Sequence, residues 1–404
     1  MKFPKANIKN TLIMYLGLGP VFWLGPIEYN YFKILKTVIF IILLSLLILD
    51  GISKRNLSHN KTFVSFVILL FFSSIFGFLQ SSIKGIISTS ISYSLIFFVT
   101  WIFFIYFKQK RFYEIMEILL KATKLISYLC AFIVVNHFIK IVDWKYITEL
   151  TASYSSIVKL ADTGFSTGRT AWSNGLALYF IVAIYAFLKM KRKEFLYYGA
   201  FILTAQILSG GRGGLLISIF IIVMYMASTI NLKWGIVIVI SLITLVSINK
   251  DYLKKRFRFD KLEKSGDDAL NKFTAGRLGH FSFAIENIGE DFNYFKGNGF
   301  LKEENKINKK TDIHFLWLKK MLEGGVILLT VYVLFVVLYF IRIINLYRKD
   351  SNYVLFLHVF IGGLITTLFE PNAIFGSLQS SLIWWASIAA VESIRIRNLR
   401  QHHD

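Results

Sequence analysis

Apolar residues run along this chain in blocks of about 20, the length a helix needs to cross the hydrocarbon of a bilayer. The blocks fall near residues 10–27, 34–51, 62–80, 86–107, 122–141, 171–189, 195–210, 212–230, 232–248, 316–341, 353–369 and 374–393. They predict an all-α, polytopic membrane protein with about 12 transmembrane helices. Gly19-Pro20 and Gly25-Pro26 interrupt the first block, and the seventh is short and runs into a glycine-rich turn. Between the ninth and tenth lies a charged loop of about 65 residues, from Asn249 to Ile313. Residues 394–404 form a basic tail.

Composition agrees with that pattern. Hydrophobic residues make up 55% of the chain and charged ones only 17%, with a mean hydropathy of +0.57. A soluble core has no use for so much apolar surface. Short loops that carry Lys and Arg stay in the cytoplasm. Such loops occur at Lys2 to Lys9, Lys54-Arg55, Lys108 to Arg111, Lys189 to Lys193, Lys233, Arg342 to Lys349 and Arg395 to Arg400, at alternating ends of the blocks. Both termini are therefore predicted to be cytoplasmic. The 142–170 segment, the turn from Gly210 to Gly214 and the large loop are predicted to lie outside.

Through Lys320 the large loop holds 16 Lys and Arg against 11 Asp and Glu. Long loops are exempt from the charge rule, so its basic character does not reverse the orientation. The net charge of +22 suits a partner surface of anionic lipid headgroups, with no nucleic acid required. The single cysteine, Cys130, sits in an apolar block and excludes a disulfide framework. A basic start without a small-residue cleavage pattern predicts an uncleaved first span.

Arginine at membrane depth needs a partner or an aqueous cavity, which singles out Arg169 and Arg212. Snorkelling to the headgroups is the ordinary explanation for one interfacial arginine. Arg212 departs from it because Gly210, Gly211, Gly213 and Gly214 surround it. Glycines let backbone amides approach a ligand, and a helix beginning here would aim its first N–H groups at an anion such as pyrophosphate. The competing explanation is a tight helix hairpin that needs small residues. Within the loop, Ala275-Gly-Arg277 opens an amphipathic pattern through Phe281, Phe283, Ala284 and Ile288, predicting a helix on the membrane surface. Asp312-Ile-His314 precedes the next apolar block, where a histidine can take a proton near neutral pH or merely anchor the interface. Glu370-Pro-Asn372 reads as a turn. Asp267-Asp268 is too isolated for a divalent-cation site, and the chain has no phosphate loop, metal-ligand spacing or nucleophile elbow.

Ser209-Gly-Gly-Arg-Gly-Gly214, then Gly276-Arg277 with Gly297-Asn-Gly299, then His314 before Glu323-Gly-Gly325, resemble in order and spacing the O-antigen polymerase and O-antigen ligase superfamily. The resemblance covers roughly residues 165–345. It implies a glycosyltransferase of C-type membrane architecture that needs no metal or other cofactor and acts at the outer face of the bacterial inner (plasma) membrane. Its donor would be a saccharide on undecaprenyl pyrophosphate, and its partners would include a chain-length regulator and a flippase. Carried over, the pyrophosphate-binding arginines are Arg212 and Arg277, and the residue acting at the acceptor hydroxyl is His314. In the family the histidine is commonly followed by a small polar residue. Here Phe315 follows, so Asp312 stays open as an alternative base. Gly211 and Gly213 complete the expected substrate contacts, and Arg169, which has no counterpart in the family's pattern, is added as a contact to the donor or saccharide.

Two bidentate guanidiniums can offset the charge that develops on a leaving pyrophosphate. Polymerase is the first expectation for O-antigen or capsule. A ligase acting on lipid A core is the second, and a transporter of lipid-linked oligosaccharide is the rival from another class. Transporters tend to repeat their halves, whereas the candidate residues here concentrate in the C-terminal half and one loop. Trp144, Tyr146, Tyr154, Phe165 and Trp172 cluster near 142–172, where an interfacial aromatic belt is the better default than sugar stacking.

Overall fold

The computed structural model describes residues 5–24, 42, 45, 61–108, 110–139, 169–209, 211–229, 277–289, 292–301, 305–307, 311–370, 373–376 and 378–400. Every predicted apolar block except 34–51 and 232–248, which fall outside the described residues apart from 42 and 45, coincides with a helix. These are α1 (Lys5–Leu24), α2 (Lys61–Leu79), α3 (Ile83–Phe107), α4 (Phe112–Ile139), α5 (Arg169–Leu188), α6 (Glu194–Ser209) and α7 (Arg212–Thr229). The loop contributes α8 (Arg277–Glu286), and α9 (Leu316–Lys349), α10 (Val354–Thr366), α11 (Ala373–Gly376) and α12 (Leu378–Arg400) follow. The all-α expectation needs one small amendment. Strands β1 (Lys306–Ile307) and β2 (Thr311–Asp312) form an antiparallel pair inside the loop.

Among the described residues four helices are long and apolar enough to cross a membrane: Thr62–Leu79, Ile83–Phe107, Phe112–Asn136 and Leu316–Lys349. Shorter apolar helices cover Trp172–Leu188, Arg212–Tyr225 and Ser351–Thr366. Their apolar faces divide with the helical period. On α9, Leu328, Tyr332, Phe335, Tyr339, Ile343 and Leu346 are buried, while Val333, Leu334, Val337 and Ile341 between them are exposed. Leu79 and Ile83 are 74% and 77% exposed. Exposure on that scale is a liability in water and the normal state in lipid. This is a helical membrane protein by length, composition and the placement of its exposed surface.

Helix α5 is the axis of the bundle. Its residues from Trp172 to Phe187 are buried on every side, packed by α6, α7, α10 and α12. A helix apolar all round belongs in such a centre. Without water to drive association, helices in lipid rely on close packing of small residues. Gly363 of α10 illustrates it, since a Cβ there would lie 2.1 Å from the Trp384 ring of α12.

The predicted interruption at Gly19-Pro20 does not occur; α1 runs through it to Leu24. Proline lacks an N–H, so the carbonyl four residues earlier loses its helical partner. That carbonyl is Leu16, and it accepts a hydrogen bond from the Tyr179 hydroxyl of α5. The substitute bond keeps the proline compatible with a buried helix.

The bundle has two chemically distinct ends. At one, Arg397 donates to the Lys110 carbonyl, Tyr185 to the Asn352 carbonyl (2.9 Å), and Arg342 reaches Glu392 (2.6 Å) and Thr62 (3.1 Å). At the other, Phe300 N–H donates to Ser81 Oγ (2.6 Å) and Leu316 N–H to the Thr367 carbonyl (3.0 Å). The glycine turn and the described residues of the loop both belong to this second end.

Candidate functional site

The site is built on a polar layer beneath the glycine turn. Between α6 and α7 only residues 210–211 intervene, and the turn is tied from below. Ser209 Oγ donates to the Gln206 carbonyl (2.7 Å) and accepts the Gly211 N–H (3.3 Å), while Ser173 Oγ of α5 donates to the Gly211 carbonyl (2.7 Å). Gln206 Nε2 donates to the Ser173 carbonyl (2.8 Å), and its Oε1 accepts from Ser218 (2.8 Å). The backbone of Gly211 is therefore engaged within the turn. The last two glycines answer to packing. A Cβ on Gly214 would lie 2.2 Å from the Ser173 carbonyl oxygen, and one on Gly213 would meet Asn174 Oδ1 at 3.0 Å and Phe369 Cβ at 3.2 Å. Arg212 takes the first position of α7, half-buried, at the end where the helix presents its unsatisfied N–H groups.

Phe369 leads to the second part. The turn after α10 holds Thr367, whose carbonyl accepts the Leu316 N–H and whose hydroxyl accepts Trp317 Nε1–H at 2.9 Å. One turn thus touches Gly213 on one side and the start of α9 on the other. His314 lies two residues before that start, half-buried.

Helix α8 packs on this start. Ala284 of α8, Phe292, Ile313 and Leu322 form a small buried cluster, with Phe281 edge-on to Phe315 at 5.8 Å. Phe281 and Ile285 keep exposed faces. This docking brings the ring of His280 to 4.9 Å from the ring of His314, the planes tilted by 45°. Arg277 opens α8 one helical turn before His280, and its side chain lies outside the described residues. Arg169 opens α5 at the same end of the bundle, four residues before Ser173, and its side chain likewise lies outside. Asp312 pairs through its backbone with Lys306 in the β1–β2 ladder, two residues before His314. The stretch 249–276, including Asp267-Asp268, falls outside the described residues.

Two glycine motifs prove to be one device. At Gly324 and Gly325 α9 is kinked, with Gly325 at φ 70°, a left-handed conformation that favours glycine. The kink detaches Val326 N–H and the Leu322 and Glu323 carbonyls from the helical ladder. Tyr294 and the Gly297-Asn-Gly299 turn replace the lost partners. Asn298 N–H donates to the Leu322 carbonyl (2.7 Å), Gly299 N–H to the Glu323 carbonyl (3.0 Å), and Val326 N–H donates to the Tyr294 carbonyl (2.7 Å). The Glu323 side chain meanwhile takes Lys320 Nζ at 2.5 Å and Lys319 Nζ at 3.8 Å, all three residues buried. These contacts fix the loop to α9, and with it the His280–His314 pair.

Sequence reasoning singled out Arg212, Arg277 and His314 and missed His280 and Asn174. A signal existed for each. His280 follows Arg277 by three residues, on the same helical face, and Asn174 is an amide inside an apolar block, where polar groups are costly. Set against known proteins, the chain matches no family model, and no curated protein matches it.

Proposed function

We propose that this protein is a membrane glycosyltransferase that polymerises saccharides carried on undecaprenyl pyrophosphate into a surface polysaccharide such as O-antigen or capsule. The observation that carries the reading is the convergence at one end of the bundle. The Arg212 turn and the His314 segment are joined through the 366–370 turn, and the helix bearing Arg277 docks beside them. Among the described residues the basic short loops, at 108–111, 189–193, 342–349 and 395–400, lie at the opposite end, which supports placing both termini in the cytoplasm and the site outside.

In this reading the acceptor hydroxyl of one lipid-linked unit attacks the anomeric carbon of another. The new glycosidic C–O bond forms as the bond from that carbon to the pyrophosphate oxygen breaks. His314 takes the hydroxyl proton, and undecaprenyl pyrophosphate leaves with the electron pair. Arg212 and Arg277 offset the charge that grows on it, together with the first N–H groups of α7. Proton removal contributes roughly 10²–10⁴-fold. His280 holds the His314 ring in place.

The test is to incubate the purified protein with a synthetic undecaprenyl-pyrophosphate-linked repeat unit in EDTA, with and without lipid A core. A ladder of lipid-linked multimers without core is the expected product. Transfer only in the presence of core would convert the reading to a ligase using the same residues. Transport of the lipid-linked unit without any new glycosidic bond would overturn both.

A further inference from the structure

The polar layer under the glycine turn contains one group that its own bonds do not explain. Asn174 is 1% exposed, and neither its Oδ1 nor its Nδ2 has a hydrogen-bond partner among the described residues. Its neighbours Ser173, Gln206, Ser209 and Ser218, equally buried, are all bonded. A buried amide with two donors and an acceptor idle is unfavourable, and more so where lipid replaces water around the bundle. The amide also has a direction. Its Oδ1 faces Gly213, in the first turn of α7, a helix of 18 residues whose N-terminal N–H groups and Arg212 already favour an anion. A half-turn of the amide presents Nδ2–H to the same place.

We propose that Asn174 is a ligand-binding residue, donating Nδ2–H to a phosphate oxygen of an anionic group seated at the N-terminal turn of α7. The inference rests on the reading above for the identity of that group, the pyrophosphate of a polyprenyl-linked saccharide. Asn174 then supplies what the arginines lack, a neutral donor fixed from beneath by α5. It grips the phosphate without adding charge to a buried layer.

Binding of undecaprenyl pyrophosphate to the purified full-length protein tests it, measured alongside thermal unfolding. Asn174→Leu, similar in size and without polar atoms, is expected to unfold no earlier than the wild type and to bind about 10- to 100-fold more weakly, the range for a hydrogen bond to a charged group. Asn174→Asp, nearly isosteric, is expected to weaken binding further because a carboxylate faces the phosphate. A merely structural role predicts the opposite pair of results, earlier unfolding and unchanged affinity. Wild-type binding with equal affinity in both variants would remove Asn174 from the site and leave the pyrophosphate reading intact. A wild type that does not bind undecaprenyl pyrophosphate would remove both.

Discussion

Two buried polar clusters, one at each end of the bundle, handle polarity in opposite ways. At the basic end Glu392 is fully buried and saturated. It takes Arg342 at 2.6 Å and Arg395 at 2.5 Å, while Arg342 also reaches Thr62 and lies 5.2 Å from the Tyr339 ring centroid. Around Glu392, charge, hydrogen bonds and packing close on themselves. At the loop end the layer of Ser173, Gln206, Ser209 and Ser218 is equally well tied, yet it leaves the Asn174 amide idle beside a helix N-terminus that carries an arginine. Saturated polar clusters rigidify a fold, whereas an idle buried group calls for an explanation. Thr100 Oγ1 and His358 Nδ1 are idle as well among the described residues, and what sets the Asn174 amide apart is its place beside the first turn of α7.

The comparison breaks most visibly at Arg212. Arg212→Ala is expected to lower turnover on a lipid-linked repeat unit by about 10²–10³-fold or more with normal membrane insertion, and Arg212→Lys to stay impaired because a point charge does not reproduce the bidentate fork. Wild-type rates in either variant would reduce the arginine to bulk charge. Next in size, Glu392→Gln leaves Arg342 and Arg395 without their carboxylate and is expected to destabilise the protein by roughly 3 kcal/mol. Thermal unfolding of the solubilised protein reads that loss, while turnover per folded molecule should hold. Loss of turnover without loss of stability would erase the division between the two ends. The smallest effect is expected from His280→Phe, which keeps a ring against His314 but removes its nitrogens. A fall in kcat of roughly tenfold with KM nearly unchanged, and an altered pH–rate profile, would mark a positioning role.

Much of the fold was legible because crossing a bilayer imposes a length that hydropathy reveals directly. The match is in position more than in length: the block at 353–369 appears as α10, 13 residues behind a short 3₁₀ turn, and the block at 195–210 as α6, 16 residues, and four of the described helices reach the length of a span. Hydropathy did not distinguish α5 and α12, buried on all sides, from α2 and α9, which expose one face, since lipid and protein interior are equally apolar to it. Gly19-Pro20 was misread for a related reason. The bond that rescues Leu16 comes from Tyr179, some 160 residues away, and no local pattern announces it. The site divides the same way. Arg212 and His314 stand in short motifs, but the approach of His280 to His314 depends on how α8 docks through Ala284 and Phe281, which is tertiary information.

Synthesis delivers residues 294–299 to the membrane before α9 follows. When α9 enters hydrocarbon, the Leu322 and Glu323 carbonyls and the Val326 N–H have no partner in their own helix, and only the loop already made can satisfy them. A chain that threaded this loop to the wrong side would leave three backbone groups bare in lipid, at several kcal/mol each. Correct sidedness and a finished α9 are thus a single event. The kink makes the completion of α9, and the packing that sets His280 against His314, wait on the arrival of residues 294–299.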